Sequence, residues 1–226
     1  MGEPIGLSNL RKMYPWPKVR PEHSEGVVNE DGWAIGWPLP ENIIGSNLSG
    51  ETRLIVELGT WLGNSARFML KHAPNATIIC IDHWRGSPEH NGYKSTLKCL
   101  PTLYEDFLSI CWEERDRLIP MRETTLAGMW IVSELGLVPD VVYIDAAHDY
   151  ESVLADIKTA DSLFPKATII GDDYLGAAIA KDDEIVDIDY GVRRAVNHYI
   201  YDHGCDLRCT GRGWQLIRKP SKNGEC

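Results

Sequence analysis

Short apolar runs alternate with longer amphipathic stretches along residues 53–171 of the chain. The short runs are typical of buried parallel strands, and the longer stretches are typical of the helices that join them. This alternation predicts an α/β fold with a doubly wound, mostly parallel sheet. The predicted strands are Leu54–Leu58, Ala76–Ile81, Leu118–Met121, Val141–Ile144 and Ala167–Ile170.

The helix predicted after the fourth strand has the most regular pattern. Asp149 precedes it and is a predicted N-cap, because aspartate accepts a hydrogen bond from a free amide of the first turn. Its apolar face is formed, at helical spacing, by Val153, Ile157, Ala160 and Phe164. Further along, the pattern predicts a helix over Arg193–Tyr201 and, at the sheet edge, an antiparallel hairpin over Asp206–Thr210 and Trp214–Arg218.

The first 50 residues are rich in proline and lack sustained periodicity of either kind. We expect an irregular N-terminal arm or lid over residues 1–50, followed by one domain over residues 51–220. The arm contains Trp16, Trp33 and Trp37. These tryptophans could cover a bound ligand, and packing against the core or a second subunit is the alternative. The arm is therefore also the candidate contact of a homodimer.

Composition restricts the function. With 43% hydrophobic and 25% charged residues, the chain of 226 residues lies in the range of soluble globular domains. It has no apolar run of the roughly 18 residues that a membrane span needs, so we expect a cytoplasmic protein with no membrane partner. The net charge of −10 argues against nucleic acid as a partner, since phosphate binding needs clustered lysine and arginine. The six cysteines form no C-x-x-C pair, which predicts reduced thiols rather than a zinc site.

A glycine-containing turn follows the first predicted strand, where Val56–Ser65 reads VELGTWLGNS. In an open parallel sheet, ligands bind beyond the carboxyl ends of the strands, close to the first strand-to-helix turn. Gly59 and Gly63 suit such an approach of backbone to ligand. Trp61, however, occupies the position of the second glycine in the dinucleotide fingerprint G-x-G-x-x-G, which argues against a nicotinamide or flavin.

Two carboxylates beside this turn restrict the ligand further. Glu57 lies at the end of the first strand, where it would repel a diphosphate and favour a cationic group. Asp82 follows the second strand 25 residues later (82 − 57), near the spacing at which an acidic residue binds a ribose hydroxyl. An adenosine that carries a positive group satisfies both carboxylates.

Three more carboxylates follow the fourth and fifth strands. Asp145 ends the segment VVYID, and Asp172 and Asp173 end the segment ATIIGDD. The carboxyl ends of parallel strands lie at one edge of a sheet, so these side chains should converge beside the glycine turn. They require a cation there, because like charges at close range repel strongly. A divalent ion with oxygen ligands fits this set, with Mg²⁺ first and Mn²⁺ or Ca²⁺ as alternatives.

The pattern E-L-G-x-x-x-G-x-S over Glu57–Ser65 resembles motif I of class I S-adenosylmethionine-dependent methyltransferases, which have a Rossmann-like fold. The segments D-A-A-H-D-Y-E, from Asp145, and G-D-D-Y, from Gly171, are similar to those of metal-dependent small-molecule O-methyltransferases of the macrocin and catechol type. The likeness extends over about Leu54–Tyr174, and the arm and Gly176–Asp189 lie outside it.

The resemblance implies S-adenosylmethionine as the cofactor. The glycine turn would hold its amino-acid part, Asp82 would bind the ribose, and His83 or Trp84 would lie beside the adenine. Thr124 and Thr125 could reach the adenine side, with helix capping as the alternative. The predicted cofactor-binding residues are Glu57, Gly59, Thr60, Trp61, Gly63, Ser65, Asp82, His83, Trp84, Thr124 and Asp145, and the predicted metal ligands are Asp145, Asp172 and Asp173.

By the same resemblance, the metal lowers the pKa of a substrate hydroxyl, whose oxygen then attacks the sulfonium methyl group. His148 occupies the position at which catechol-type relatives carry a lysine assigned as the proton acceptor, so His148 is a candidate general base. A hydrogen bond to a backbone carbonyl or a contact with the cofactor is the alternative role of His148. Asp145 could share the proton.

The predicted function is therefore methyl transfer to a hydroxyl of a small molecule, either the sugar of a natural product or a catechol. A metal-dependent hydroxylase on the same fold is one alternative, and its iron would need more histidine ligands than His148. A non-catalytic cofactor-binding partner is the other, and such a protein would be expected to lose the three aspartates. The acidic segment Lys181–Asp189 lacks the EF-hand pattern and is interpreted as a solvated insertion that could close over the acceptor.

Overall fold

The computed structural model of the protein describes residues 3–29, 34, 38–87, 100–181, 184–188 and 191–219. Its strands are β1 (Leu54–Leu58), β2 (Thr77–Asp82), β3 (Leu118–Arg122), β4 (Val141–Ile144), β5 (Thr168–Gly171), β6 (Ala177–Lys181), β7 (Glu184–Ile188), β8 (Asp206–Thr210) and β9 (Gly213–Ile217). The main sheet has the order β3-β2-β1-β4-β5-β9-β8, and β6 and β7 form a separate hairpin. Strands β1 to β5 pair in parallel, whereas β9 runs antiparallel to both of its neighbours. The predicted mostly parallel sheet with an antiparallel C-terminal hairpin is confirmed.

Helices cover both faces of this sheet, as a doubly wound fold requires. They are α1 (Ile5–Met13), α2 (Glu41–Ser46), α3 (Asn64–His72), α4 (Leu103–Ile110), α5 (Thr125–Glu134), α6 (Tyr150–Leu163) and α7 (Val192–His203). Apolar residues of α1, α5, α6 and α7 pack on one face, and those of α2, α3 and α4 pack on the other. The two apolar layers exclude water from the strands and leave their carboxyl ends as the accessible edge.

Strand β1 shows how the sheet divides its side chains. Leu54, Val56 and Leu58 belong to one apolar layer, and Ile55 belongs to the other. Because successive side chains of a strand point to opposite faces, Glu57 lies on the same face as Ile55. It is fully buried there. This direction determines what Glu57 does at the site.

Helix α6 agrees with its predicted pattern. The four residues of its predicted apolar face are all buried. Asp149 is its N-cap, and its side chain accepts a hydrogen bond of 3.0 Å from the amide of Ser152. The cap places the helix directly after the turn that follows β4, so the first turn of α6 borders the same edge of the sheet.

Two short helices correct the prediction of an irregular arm. Helix α1 buries Leu7 and Leu10, and helix α2 buries Ile43 and Ile44. They have only nine and six residues, too few for helical periodicity to stand out in a proline-rich segment. Trp16 packs against the core, where its indole donates a hydrogen bond of 2.9 Å to the carbonyl oxygen of Leu118. The predictions for Trp33 and Trp37 lie outside the described residues.

Several element boundaries differ from the prediction by one or two residues. Strands β2 and β3 extend to Asp82 and Arg122, because these two residues still pair in register at the end of the ladder. The predicted solvated insertion, Lys181–Asp189, contains β7 and the last residue of β6, and positions 182, 183 and 189 of it lie outside the described residues. The four cysteines that are described, Cys80, Cys111, Cys205 and Cys209, are free thiols. Within the part of the chain that the structure describes, no helix is long and apolar enough to cross a membrane.

Candidate functional site

A cavity of about 270 Å³ lies at the carboxyl ends of the parallel strands. The turns after β1 to β5 form its walls, and Pro38 and Leu39 of the arm also contribute. Its charged lining is mainly acidic and consists of Asp82, Glu123, Asp145, Asp156, Asp172, Asp173 and Arg212. Carboxylates that outnumber cations in a confined space produce a negative potential, which favours a cationic ligand.

Glu57 lies beneath the turn after β1 and does not line the cavity. Its carboxylate accepts a hydrogen bond of 2.8 Å from the Thr60 hydroxyl and a second hydrogen bond from the Ser65 hydroxyl. Burial raises the pKa of Glu57 to about 7, and the charges of Asp145 and Asp82 act in the same direction. Thr60 and Ser65 do line the cavity. Glu57 therefore fixes two residues of the cavity wall from behind.

The two glycines of this turn are required by the surrounding protein. Gly59 has φ +85°, and a Cβ atom on it would lie 2.0 Å from the carbonyl oxygen of Asp145. Gly63 has φ +87°, and a Cβ atom there would lie 2.2 Å from the sulfur of Cys111. Gly59 lines the cavity and Gly63 does not. The sequence predicted that both glycines let the backbone approach a ligand. Gly63 instead lets the turn pack closely against α4 and the residue after it.

Asp82 joins the turn after β1 to the turn after β2. Its Oδ2 accepts a hydrogen bond of 2.9 Å from the amide of Trp61, and its Oδ1 accepts one of 2.7 Å from the amide of Trp84. Both tryptophans have left-handed backbones, with φ 53° and 49°. Such a conformation costs a non-glycine residue roughly 1–2 kcal/mol. The charged acceptor between the two amides therefore stabilises two unfavourable turns at once.

The predicted adenine side is formed by the ends of β2 and β3. His83 lines the cavity there, whereas Trp84 is buried against Tyr104 and Phe107 and does not. Thr124 lines the cavity and also caps α5, where its side chain accepts a hydrogen bond of 3.4 Å from the amide of Ala127. Both suggested roles of Thr124 are thus compatible with its position.

Asp145, His148 and Asp173 form a compact group at the other end of the cavity. One potential ligand atom from each lies within 4.8 Å of the other two. His148 Nε2 is 2.9 Å from Asp173 Oδ2 and 3.8 Å from Asp145 Oδ1. Asp173 is a third residue with a left-handed backbone, at φ 61°. The convergence of these side chains agrees with the rule that parallel strands place their carboxyl ends at one edge.

Asp172 faces an arginine instead. Arg212, in the turn between β8 and β9, donates through Nε to Asp172 Oδ1 at 2.7 Å and through Nη2 to Asp173 Oδ1. Burial and the charges of Asp145 and Asp173 raise the pKa of Asp172 to about 8, although Arg212 acts in the opposite direction. Asp172 lines the cavity, but it is not part of the group that Asp145, His148 and Asp173 form.

Sequence reasoning missed three charged residues of the cavity: Glu123, Asp156 and Arg212. The sequence pattern could have identified Asp156, because this residue is next to Ile157 and three residues after Val153. Both of these neighbours belong to a buried helical face. Its Oδ1 accepts a hydrogen bond of 2.6 Å from the Thr125 hydroxyl. No local sequence pattern predicts the position of Arg212, since that position depends on how the C-terminal hairpin packs against β5.

Asp156 gives the protein a specific pH dependence. Burial raises its pKa from 3.8 to about 7, Asp149 adds to the rise, and the Thr125 hydroxyl opposes it. Because the folded pKa is the higher one, the stability linked to this group is fully present below about pH 4 and is lost as the pH rises to about 7. We expect Asp156→Asn to match the native protein near pH 4 and to exceed its stability at pH 8 by on the order of 4 kcal/mol. Chemical unfolding across this range measures the difference, and a difference that does not change with pH would contradict the prediction.

Comparison with known proteins agrees with this architecture. A family model described as a methyltransferase domain matches residues 56–174. The O-methyltransferase TomG from Streptomyces achromogenes, involved in tomaymycin synthesis and solved in complex with SAM, is 14% identical, with 96% of this chain and 92% of that chain covered and a TM-score of 0.54. The SAH-bound methyltransferase PaMTH1 from Podospora anserina is also 14% identical, with 97% and 90% covered and a TM-score of 0.54. Curated protein sequences gave no match.

The family match and the solved structures support different conclusions. At this identity the solved structures establish the fold alone, which this chain shares with TomG and PaMTH1. The family match covers just over half of the chain and nearly coincides with the predicted range Leu54–Tyr174. The resemblance inferred from the sequence is confirmed: the chain belongs to the methyltransferase domain family.

Proposed function

We propose that the protein transfers a methyl group from S-adenosylmethionine to a hydroxyl group of a small molecule. The observation that carries this proposal is the acidic cavity at the carboxyl ends of β1, β2 and β4. The cofactor carries a sulfonium and an ammonium group, which carboxylates favour, whereas a diphosphate would be repelled. Two proteins of similar structure support the same cofactor, since TomG was solved with SAM and PaMTH1 with SAH.

The cofactor would lie along the edge of the sheet. Gly59, Thr60, Trp61 and Ser65 would contact its amino-acid part from the turn after β1. Asp82 would bind the ribose through lone pairs that its two backbone hydrogen bonds leave free, with His83 and Thr124 nearer the adenine. Glu57, Gly63 and Trp84 would support these walls from behind. The methyl group would then point towards Asp145, where the acceptor enters.

The acceptor end suits a divalent metal ion. Asp145, His148 and Asp173 supply two carboxylates and an imidazole at mutually compatible distances, a donor set that divalent ions bind. When bound, such an ion would lower the pKa of the acceptor hydroxyl. The residues of the chain would orient the hydroxyl towards the methyl group, and whichever of Asp145 and His148 does not hold the ion would accept its proton.

The hydroxylase alternative is less well supported. Non-haem iron oxygenases use two histidines and one carboxylate. Among the described residues, the group at this end of the cavity has one histidine and two carboxylates. The residues of this group therefore favour a metal ion that acts as a Lewis acid over an iron that activates oxygen.

The proposal is tested by incubating the protein with S-adenosylmethionine and matched series of acceptors. Sugars and catechols provide hydroxyls, and amine and thiol analogues of the same shape serve as controls. We expect S-adenosylhomocysteine to accumulate with a hydroxyl acceptor, and to fall when a chelator is added or Asp145→Asn is used. Turnover with the amine or thiol series alone would contradict O-methylation.

A further inference from the structure

A second cavity, of about 330 Å³, lies between the N-terminal arm and the beginning of β3. Strand β3 is an edge strand of the main sheet, and Leu118 and Ile119 at its start line this cavity. The cavity proposed for the cofactor, here the cofactor cavity, lies beyond the other end of the strand. We call the second one the arm cavity and define it by six of its lining residues: Arg11, Tyr14, Trp16, Lys18, Trp112 and Arg115.

The arm cavity carries an excess of positive charge, in contrast to the cofactor cavity. Its charged lining has three cations, Arg11, Lys18 and Arg115, and one carboxylate, Asp116. Glu3 pairs with Arg11 at 2.8 Å, whereas Lys18 and Arg115 form no ion pair within the part of the chain that the structure describes. In a chain with a net charge of −10, such a local excess of cations concentrates anions.

Aromatic rings form another part of the wall, and protein contacts hold them in place. Trp16 and Trp112 meet edge to face, with their ring centroids 6.2 Å apart. The indole N–H of Trp16 donates to the carbonyl oxygen of Leu118. Arg115 lies over the ring of Trp112, and its Nη1 donates a hydrogen bond of 2.7 Å to the carbonyl oxygen of Trp112. A planar ring can pack against these fixed side chains, and the other guanidinium N–H groups can donate to an anion.

Tyr14 connects the two cavities. It lines the arm cavity, and its hydroxyl donates a hydrogen bond of 3.0 Å to Oε1 of Glu123, which lines the cofactor cavity. Burial and the neighbouring Glu123 raise the pKa of Tyr14 to about 12, so the hydroxyl keeps its proton and remains a donor at neutral pH. A group that packs against Tyr14 therefore acts on a residue of the cofactor cavity.

We propose that the arm cavity binds a small aromatic anion, a planar ring with a carboxylate or phosphate group, and that Tyr14 couples this binding to the cofactor cavity. The tryptophans would contact the ring, and Lys18 and Arg115 would bind the anionic group. A ring packed against Tyr14 would hold its hydroxyl on Glu123 before the cofactor arrives, which should tighten cofactor binding. The site goes beyond the proposed function, and only the coupling rests on it.

The site is tested by calorimetric titration of the full chain, without cofactor, with 1-naphthoate and with 1-naphthyl phosphate. The tighter of the two identifies the anionic group. 1-Naphthylmethylamine carries a positive charge on the same ring, and cyclohexanecarboxylate carries the anion without an aromatic ring. We expect one-site binding of a naphthyl anion and at least about tenfold weaker binding of both controls. Binding of neither naphthyl anion, or equal binding of either control, would overturn the inference.

Two variants locate the bound anion. Replacing Lys18 and Arg115 together by glutamine should weaken its binding by at least about tenfold, because both charged donors are lost. Arg208→Gln removes a cation from an exposed position of β8 and should change the affinity by less than about twofold. Unchanged affinity in the double variant would place the anion elsewhere and overturn the inference. The titrations of the native protein do not depend on how these variants fold.

The coupling is tested by titrating S-adenosylhomocysteine with and without a saturating amount of the tighter anion. We expect the anion to tighten this binding by at least about threefold in the native protein and to have no effect in Tyr14→Phe, which keeps the ring and loses the hydroxyl. Tyr201→Phe, at an exposed position, is the matched control and should retain the effect. An unchanged or weaker affinity in the native protein, or an effect that persists in Tyr14→Phe, would overturn the coupling.

The two proposals fail in different ways. A protein that does not bind S-adenosylhomocysteine would contradict the proposed function, and the coupling with it. The titration with naphthyl anions would still decide whether the arm cavity is a binding site.

Discussion

Replacing Gly59 by alanine is expected to destabilise the protein by more than about 3 kcal/mol and to abolish cofactor binding. The backbone at Gly59 has φ +85°, which side chains other than glycine rarely adopt. A Cβ atom would lie 2.0 Å from the carbonyl oxygen of Asp145 and 2.5 Å from the Cα of Ala146. Both atoms are backbone, so the turns after β1 and β4 would have to separate. That separation would open the cavity where the cofactor is proposed to bind.

Gly204→Ala is the matched control for this variant. Gly204 ends α7 at φ +65°, and a Cβ atom on it would have nothing within 4 Å. It should therefore show only the conformational cost of a left-handed alanine, roughly 1 kcal/mol. Chemical unfolding of both variants measures the difference. Equal losses of stability would show that the contact with Asp145 and Ala146 relaxes freely, contrary to our account.

Replacing Asp82 by alanine is expected to weaken S-adenosylmethionine binding by about 100-fold. The variant loses the proposed ribose contact and also the two hydrogen bonds to the amides of Trp61 and Trp84. Hydrogen bonds to a charged group contribute about 1.5–3 kcal/mol each. Both tryptophans have unfavourable left-handed backbones, so both turns should lose their fixed geometry. Calorimetric titration of the variant gives the dissociation constant.

Two further variants separate the contributions of Asp82. Asp82→Asn keeps one carbonyl acceptor and should fall between the native protein and the alanine variant. Glu134→Ala removes the same charge from an exposed position at the end of α5 and should leave affinity unchanged. An unaltered dissociation constant for Asp82→Ala would mean that the turn after β2 does not contact the cofactor.

The edge of the sheet was predictable because it follows from two simple rules. Alternating apolar runs give parallel strands, and parallel strands place their carboxyl ends together. These rules predicted that Asp145, Asp172 and Asp173 would converge beside the turn after β1, and all three line the cavity. The direction of a side chain at a strand end was not predictable in the same way. Glu57 is two residues before Gly59, the first residue of the turn after β1 that lines the cavity, yet it is fully buried beneath that turn.

Contacts between distant segments account for the rest. Arg212 reaches Asp172 and Asp173 only because β9 pairs with β5, and no local pattern reports that pairing. Asp156 enters the cavity through the orientation of α6 against α5, where it meets Thr125. The two short helices of the arm are stabilised by packing rather than by their own periodicity. Tertiary structure therefore added Glu123, Asp156 and Arg212 to the residues that the sequence predicted at this edge of the sheet.

The most direct test of the central claim is a calorimetric titration of the purified protein with S-adenosylmethionine, with NAD⁺ titrated in parallel. The sample must first be shown to be folded and free of co-purified ligand. Our account predicts one-site binding of S-adenosylmethionine and no binding of NAD⁺, whose diphosphate the acidic cavity repels. Binding of NAD⁺ alone, or of neither compound, would contradict the assignment of this cavity to S-adenosylmethionine.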